Sequence, residues 1–331
     1  MKKILITGGT GFIGSHLAEL CVKRGYNVTV FDRYNPNYNL GNLSDSPFKN
    51  KIKFIFGDIR DFDSVNNAVK KKDIVFHLAA LIGIPYSYIS PNAYIKTNVE
   101  GTYNVLESCK NNKIKKVVVT STSEVYGSAR YIPIDEKHPL QPQSPYSASK
   151  ISADNLALSY FYSFNLPVSI IRPFNTYGPR QSQRAIIPTI INQMLNNQDN
   201  IIELGNLSPT RDFMYVEDTC EAFLKFITTS KNFGKIINIG SGNQISIIKL
   251  TKLIGKLMNK KIKFLKSKTR IRPKLSEVQN LCASIKLAKK DLNWKPKYIG
   301  NPGLSKGLTK TINWFQKRKK TSSSNSKNYI V

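Results

Sequence analysis

The sequence predicts an α/β protein, a doubly wound parallel sheet followed by a smaller C-terminal α/β region. Three observations predict it. Short β-branched runs alternate with helix-length segments from Lys3 to Arg172, a glycine-rich turn stands between the first run and the first helix, and the rhythm breaks into turn-rich chain after Pro173. Strands alternating with helices imply βαβ units, whose crossovers cover both faces of a parallel sheet.

The elements follow in order. Lys3–Thr7 is a strand, and a helix follows from about Ile13 to Arg24, with Gly25 suited to the position just past its end. Asn27–Phe31 and Lys53–Phe56 read as strands, Val65–Lys70 as a helix and Ile74–Leu78 as a strand. Tyr94–Asn111 is a long amphipathic helix, Lys116–Thr120 a valine-rich strand, Ser147–Phe164 a helix and Val168–Arg172 a strand. Beyond Pro173, turns at 175–183 and 204–212 surround a helix at Ala185–Leu195. A strand and turn at Ile236–Ser241 and a helix near Lys249–Met258 come next. The expected division is a first domain over 1–173 with a later return near 213–240, a second region over 174–316, and a Lys/Ser/Asn-rich tail, 317–331, expected to be disordered.

Composition excludes several classes. The 331 residues are 40% hydrophobic, which is too apolar for a disordered chain. Cys21, Cys109, Cys220 and Cys282 are scattered, with no C-x-x-C pair and no Cys/His cluster, so neither a metal site nor a disulfide framework is expected. A reduced, cytoplasmic setting follows. No apolar run approaches the ~18–20 residues of a membrane span. The basic opening Met1-Lys2-Lys3 mimics a signal peptide, but its apolar stretch stops at Gly8-Gly9. Lys and Arg number 50 against 21 Asp and Glu, a net charge of +29. The lysines form short runs at 70–72, 260–261 and 317–320 rather than one block, and Asn and Ile are also abundant. Compositional drift is the favoured account of that pattern, with attraction of an anionic small substrate or weak nonspecific adhesion as the alternative, and neither a nucleic-acid nor a membrane partner is expected.

Gly8-Gly9-Thr10-Gly11-Phe12-Ile13-Gly14 joins the first strand to the first helix. Gly8, Gly11 and Gly14 permit a tight turn, a close approach of backbone to a pyrophosphate, and close helix packing, in a Rossmann-like arrangement. The helix start at Phe12 and Ile13 offers N–H donors and a partial positive charge. Asp32 ends the second strand about 20 residues on, placed to bond the adenine-ribose hydroxyls and to repel a 2′-phosphate. NAD is therefore the expected cofactor and NADP the less favoured one, with Arg33 the feature on the side of NADP. Asp58-Ile59 and Leu78-Ala79-Ala80 end the third and fourth strands, where a dinucleotide would run. Asp58 reads either as an acceptor for the adenine amino group or as a turn residue.

Tyr146-Ser147-Ala148-Ser149-Lys150 sets a phenol and an ammonium four residues apart on one helix face. A nearby ammonium favours the phenolate, making the pair a base for a hydroxyl proton.

With these motifs in hand, the chain resembles the extended short-chain dehydrogenase/reductases, specifically the nucleotide-sugar epimerases and dehydratases, over about Lys3 to Gln316. The matching segments include Gly8–Gly14, His77–Ala80, Ser121–Gly127, Tyr146–Lys150, Arg172–Arg180, Thr210–Asp218 and Asn238–Gly240. Ser121-Thr122-Ser123-Glu124 resembles the 4,6-dehydratases, which carry a glutamate where sugar 4-epimerases usually lack one. UDP-glucuronate decarboxylases also share Thr-Ser-Glu. Longer stretches (Ile84–Tyr88, Pro133–Leu140, Pro173–Gln181 and Pro209–Phe213) look closest to the NAD-dependent dehydratases of legionaminic-acid-type pathways, which act on nucleotide-linked N-acetylglucosamine.

The resemblance implies catalytic roles for Thr122, Ser123, Glu124, Tyr146 and Lys150. Tyr146 removes the O4 proton, Thr122 bonds O4, and Glu124 takes the C5 proton. Glu124 or Ser123 relays a proton to the departing C6 hydroxyl. It implies that Asn98 supports the Tyr–Lys pair and that Asn175, Arg211 and Arg272 face the substrate diphosphate, with Arg180 or Arg184 as substitutes. Ser87 and Asn238 are candidate sugar contacts. Arg211 reads alternatively as the ion-pair partner of Asp212 or Glu217, and His77 as a structural strand-end histidine. A homodimer through 97–109 and 147–164 is also implied. The competing readings are a UDP-glucuronate decarboxylase or 4-epimerase and, from another class, a non-catalytic nucleic-acid-binding or dinucleotide-sensing protein, which would need none of Tyr146, Lys150 and Glu124.

Overall fold

A computed structural model describes residues 1–197, 199–267 and 270–321. Six strands from the first half, β1 (Lys3–Thr7), β2 (Asn27–Arg33), β3 (Ile52–Gly57), β4 (Ile74–His77), β5 (Lys116–Thr120) and β6 (Val168–Pro173), form one sheet. The second half adds β7 (Asn175–Tyr177), β8 (Ile201–Leu204), β9 (Thr210–Arg211), β10 (Phe213–Tyr215), β11 (Ile236–Ile239), β12 (Ile245–Ser246) and β13 (Lys263–Lys266). The main sheet has seven strands in the order β11-β6-β5-β4-β1-β2-β3, all parallel. β11 thus returns from the second half to complete the sheet beside β6.

The helices are α1 (Phe12–Lys23), α2 (Phe62–Val69), α3 (Ile84–Ile89), α4 (Pro91–Tyr94), α5 (Gly101–Asn111), α6 (Pro145–Phe164), α7 (Ile186–Asn196), α8 (Val216–Thr228), α9 (Ile247–Leu257), α10 (Lys286–Leu292) and α11 (Gly300–Thr321). The sheet's alternation sorts them. Ile4 and Ile6 of β1 point into one core with Leu17 of α1 and Phe223 of α8. Leu5, between them, joins Val65, Val105 and Ala157 of α2, α5 and α6 on the opposite face. With both faces covered, the central strands are buried along almost their whole length.

The remaining strands pair two by two, β10 with β7, β12 with β9 and β13 with β8, and α11 packs on α7, α9 and β10. The structure departs from the sequence reading in several elements. The expected continuous helix at 94–111 is broken by a π-helical stretch at Ile95–Glu100. α3, α8, α10 and α11 are helices where none was predicted. α11 also continues to Thr321, so 317–321 is helical rather than disordered, with Lys319 Nζ donating to the Leu195 carbonyl at 2.6 Å; the rest of the expected tail lies outside the described residues.

Candidate active site

Parallel strands end on one edge, and a cleft of about 1070 Å³ opens there between the sheet and the second region. The glycine turn forms its floor. Gly8 has φ +70°, a left-handed conformation, and a Cβ there would lie 2.8 Å from the Ala79 backbone. A Cβ at Gly14 would overlap the Gly8 carbonyl oxygen. α1 begins with no side-chain cap and no acid in its first turn, so its leading N–H groups remain open to an anion. This cradle fits a dinucleotide pyrophosphate.

Gly8, Gly11, Phe12, Ile13, Asp32, Arg33, Asp58, Ile59, Leu78, Ala79 and Ala80 all line the cleft. Asp32 Oδ2 accepts from the Thr10 amide at 2.8 Å and the Thr10 hydroxyl at 2.6 Å, which pins the carboxylate to the glycine turn. The Arg33 amide donates to the other oxygen at 2.8 Å. Asp58 lies under a bidentate hold from Arg60, at 2.9 Å and 2.5 Å, and that hydrogen bonding lowers its pKa.

Two elements carry the chemical groups. The first is the tight 3₁₀ turn Ser123–Tyr126 after β5, entered at Thr122, whose hydroxyl accepts from the Glu124 amide at 3.2 Å. The second is α6, started by a reciprocal Ser144–Ser147 capping box with Pro145 in the first turn. That start places Tyr146 at the mouth of the helix and Lys150 one turn later. Both face the cleft along with Thr122, Ser123 and Glu124. Tyr94 packs edge-on to Tyr146, ring centroids 6.1 Å apart, and its hydroxyl donates to the Gly83 carbonyl.

Burial dominates the electrostatics of the pair. Burial pushes the Tyr146 phenol above its ordinary pKa, the charges of Glu124, Tyr94 and Asp154 push the same way, and a hydrogen bond with Thr122 opposes them. Lys150 Nζ donates to the Thr120 carbonyl at 2.6 Å, and burial lowers its pKa against the pull of Asp154.

Arg272 Nη1 stands 3.9 Å from Glu124 Oε2 and is buried without a hydrogen bond. Arg211, 7% exposed, donates to the Thr210 carbonyl at 2.9 Å and pairs with Glu277 at 3.5 Å. Its expected partners are engaged elsewhere, Asp212 by the Ser241 hydroxyl and the backbone of Ser241, Gly242 and Ala283, and Glu217 by Lys310 and Tyr298. Asn175 lines the cleft with a buried, unpartnered side-chain nitrogen, and exposed Arg184 lines it too. Arg180 instead pairs with Glu19 at 2.8 Å.

Beside Arg180, three candidates do not line the cleft. Ser87 is fully buried and its hydroxyl turns back to the Ile84 carbonyl at 2.7 Å. Asn238 is likewise buried, accepting from the Tyr126 hydroxyl at 2.7 Å and donating to the Ile134 carbonyl at 3.2 Å. Both are corrected from sugar contacts to structural groups. Asn98, in the π-helical stretch, bonds the Leu81 amide and carbonyl and donates to Ser149 Oγ at 2.9 Å, so it braces the wall behind the cofactor cradle rather than touching it. Asp154 and Arg172, which bind each other beneath the 121–127 turn, were not singled out from the sequence. Asp154's position, eight residues after Tyr146 on the same helix face, was the signal available.

Comparison with known proteins agrees with this geometry. The family model described as GDP-mannose 4,6 dehydratase matches residues 5–306. A dTDP-D-glucose 4,6-dehydratase of Dictyostelium discoideum is 40% identical over 269 residues, 77% of this chain but 62% of that protein, so the match spans less than two thirds of that relative. A putative UDP-glucose 4-epimerase of Methanocaldococcus jannaschii is 35% identical, covering 96% of this chain and 100% of that one. The crystal structure of DesIV, a dTDP-glucose 4,6-dehydratase from Streptomyces venezuelae with NAD bound, superposes with a TM-score of 0.86 at 26% identity, covering 97% and 99% of the two chains. The family model covers nearly the whole chain and the DesIV fold superposes over it, so the chain belongs to the GDP-mannose 4,6 dehydratase family of extended short-chain dehydrogenase/reductases.

Proposed function

We propose that the protein is an NAD-dependent lyase of the 4.2.1 type, a nucleotide-sugar 4,6-dehydratase. Its substrate is a UDP- or GDP-linked hexose, with N-acetylglucosamine the favoured sugar, and its product the 4-keto-6-deoxy form. The observation that carries this reading is Glu124. A dehydratase needs a carboxylate at C5, and Glu124 lines the same cleft as Tyr146 and Thr122, with Arg272 beside it.

Gly8, Gly11, Phe12, Ile13, Asp32 and Lys150 would hold the cofactor. When bound, NAD would supply the acceptor for the C4 hydride and its donor to C6. Thr122 holds the sugar O4 and Tyr146 takes its proton. The 4-ketone acidifies C5–H, and Glu124 removes that proton. Ser123 or Glu124 delivers a proton to the C6 hydroxyl, which leaves as water; as C6 regains a hydride, C5 regains a proton, and the O4 proton held by Tyr146 balances the one given to the leaving water, so the net change is loss of one water. Arg211, Arg272 and Asn175 bind the diphosphate, where guanidinium forks suit phosphate oxygens.

A second reading rests on Arg184. It lines the cleft close to Gly83 and Tyr94 and would pair with a C6 carboxylate, as a uronate decarboxylase or 4-epimerase requires. Residues 1–173 with the return near 213–240 are read as the cofactor-binding domain and 174–316 mainly as the substrate-binding region. The working assembly is a cytoplasmic homodimer.

Product mass after incubation of the purified protein with UDP- and GDP-N-acetylglucosamine tests the assignment. Loss of one water from either is the expected result. Unchanged mass with inversion at C4 by proton NMR, or carbon dioxide loss from a UDP-glucuronate control, would replace it with the epimerase or decarboxylase reading.

A further inference from the structure

We propose that the buried Asp154–Arg172 ion pair is a positioning device, setting the spacing between α6, which carries Tyr146 and Lys150, and the 121–127 turn, which carries Thr122 and Glu124. The inference rests on the dehydratase reading in so far as it assigns Glu124 the C5 proton.

Arg172 is the largest fully buried side chain in the described protein, 0% exposed, and Asp154 is 1% exposed. One carboxylate oxygen of Asp154 gathers three donors, Arg172 Nε at 3.0 Å, Arg172 Nη2 at 2.8 Å and the Ser121 hydroxyl at 2.7 Å. The third guanidinium nitrogen donates to the Tyr126 hydroxyl at 3.0 Å, and the guanidinium carbon lies 5.0 Å from the Tyr126 ring centroid. Tyr126 in turn donates to Asn238 on β11. The pair therefore grips the catalytic turn at both ends, at Ser121 through the carboxylate and at Tyr126 through the guanidinium. The carboxylate itself sits on α6 at spacing i, i+4, i+8 with Tyr146 and Lys150.

Burying two charges is costly, and an apolar pair of similar volume is often as stable or more so. Simple core stability thus gives no reason for this pair at this place. Geometry does. Proton removal from O4 and then from C5 needs a phenol on α6 and a carboxylate on the turn to address neighbouring carbons of one ring. A misplacement of about 1 Å costs about 10²-fold in such a step. Arginine is suited to the task because its planar fork reaches Asp154 and Tyr126 together, which the single ammonium of lysine does not.

The test uses the full chain and three variants, Asp154→Asn, Arg172→Lys and the double replacement Asp154→Leu with Arg172→Met, which leaves no unpaired buried charge should the single variants fail to fold. Wild-type water loss is measured first and decides the dehydratase reading separately. If the wild type inverts C4 or decarboxylates instead, the same comparison is made on that reaction, since Tyr146 and Thr122 still lie on the two elements.

The folded double variant should keep KM and NAD affinity within about threefold while kcat falls about 10²-fold, with Arg172→Lys in between. Amide hydrogen exchange, which needs no turnover, should quicken across 121–127. A folded double variant with wild-type kcat, with unchanged exchange in the turn, or with kcat, KM and NAD affinity lost in proportion to melting temperature would overturn the proposal.

Discussion

His77 ends β4 beneath the cleft, 2% exposed, with its ring between the hydroxyls of Thr7 at 2.8 Å and Thr102 at 3.1 Å. Burial, helped by the Lys150 charge, pushes its pKa down to about 3. A folded-state pKa below the unfolded value of about 6.5 means that the unfolded chain binds the proton first. Its stabilising contribution is whole above about pH 6.5 and is lost as the pH falls from there toward 3. At roughly 1.4 kcal/mol per pH unit, the loss at pH 5 is about 2 kcal/mol. Denaturant titrations at pH 7 and pH 5 should therefore show a smaller pH penalty in His77→Gln than in wild type. Half-buried His16, whose pKa desolvation also lowers, contributes equally to both proteins. Equal penalties would contradict the assignment. Residue types such as His77, Asp32 and Tyr146 were readable in their motifs, but hydrogen-bond partners were not. The Ser87 hydroxyl, four residues past Gly83 on the cleft wall, turns inward to its own helix, and nothing in its neighbours announces that.

At the scale of elements, strands and α1 were legible because short β-branched runs, buried on both faces, alternate with helix-length segments and because Gly25 marks a helix end, with φ +79°. α8 was not, since it begins directly after β10 with no side-chain cap at Tyr215. α11 was not, since it opens on Gly300-Asn301-Pro302-Gly303, which reads as a turn. The Asp154–Arg172 pair spans two elements 18 residues apart, a contact that no local pattern encodes. α6 also carries an outward stripe of small residues, Ala148, Ser152, Asn155 and Ser159, running toward exposed Tyr162. Exposed Tyr103 stands on neighbouring α5. Small residues at helical spacing let a second helix approach closely, and the stripe is the face expected to meet its copy in the homodimer. Sedimentation equilibrium should give a dimer for wild type and a monomer for Tyr103→Arg combined with Ser152→Arg. A dimer retained by that variant would place the interface elsewhere.

For the whole molecule, the +29 charge gains a partial account. The strands of a parallel sheet start on one edge, and Lys2, Lys3, Lys51, Lys53, Lys70 and Lys115 flank those starts, on the side away from the cleft. Lys72 there is lowered in pKa by burial and by the charges of Lys53 and Lys3. In the cleft, by contrast, the cations are individually placed, Arg272 beside Glu124 and Arg211 beside Glu277, and this is where charge bears on chemistry. The account stands or falls on Glu124 acting at C5. The most direct measurement is product mass from Glu124→Gln beside wild type on the same nucleotide sugar, with NAD and substrate affinities determined in parallel. The expected result is unchanged binding with water loss reduced about 10²–10⁴-fold, the scale of a lost proton transfer. Dehydration at the wild-type rate by the variant would contradict the account.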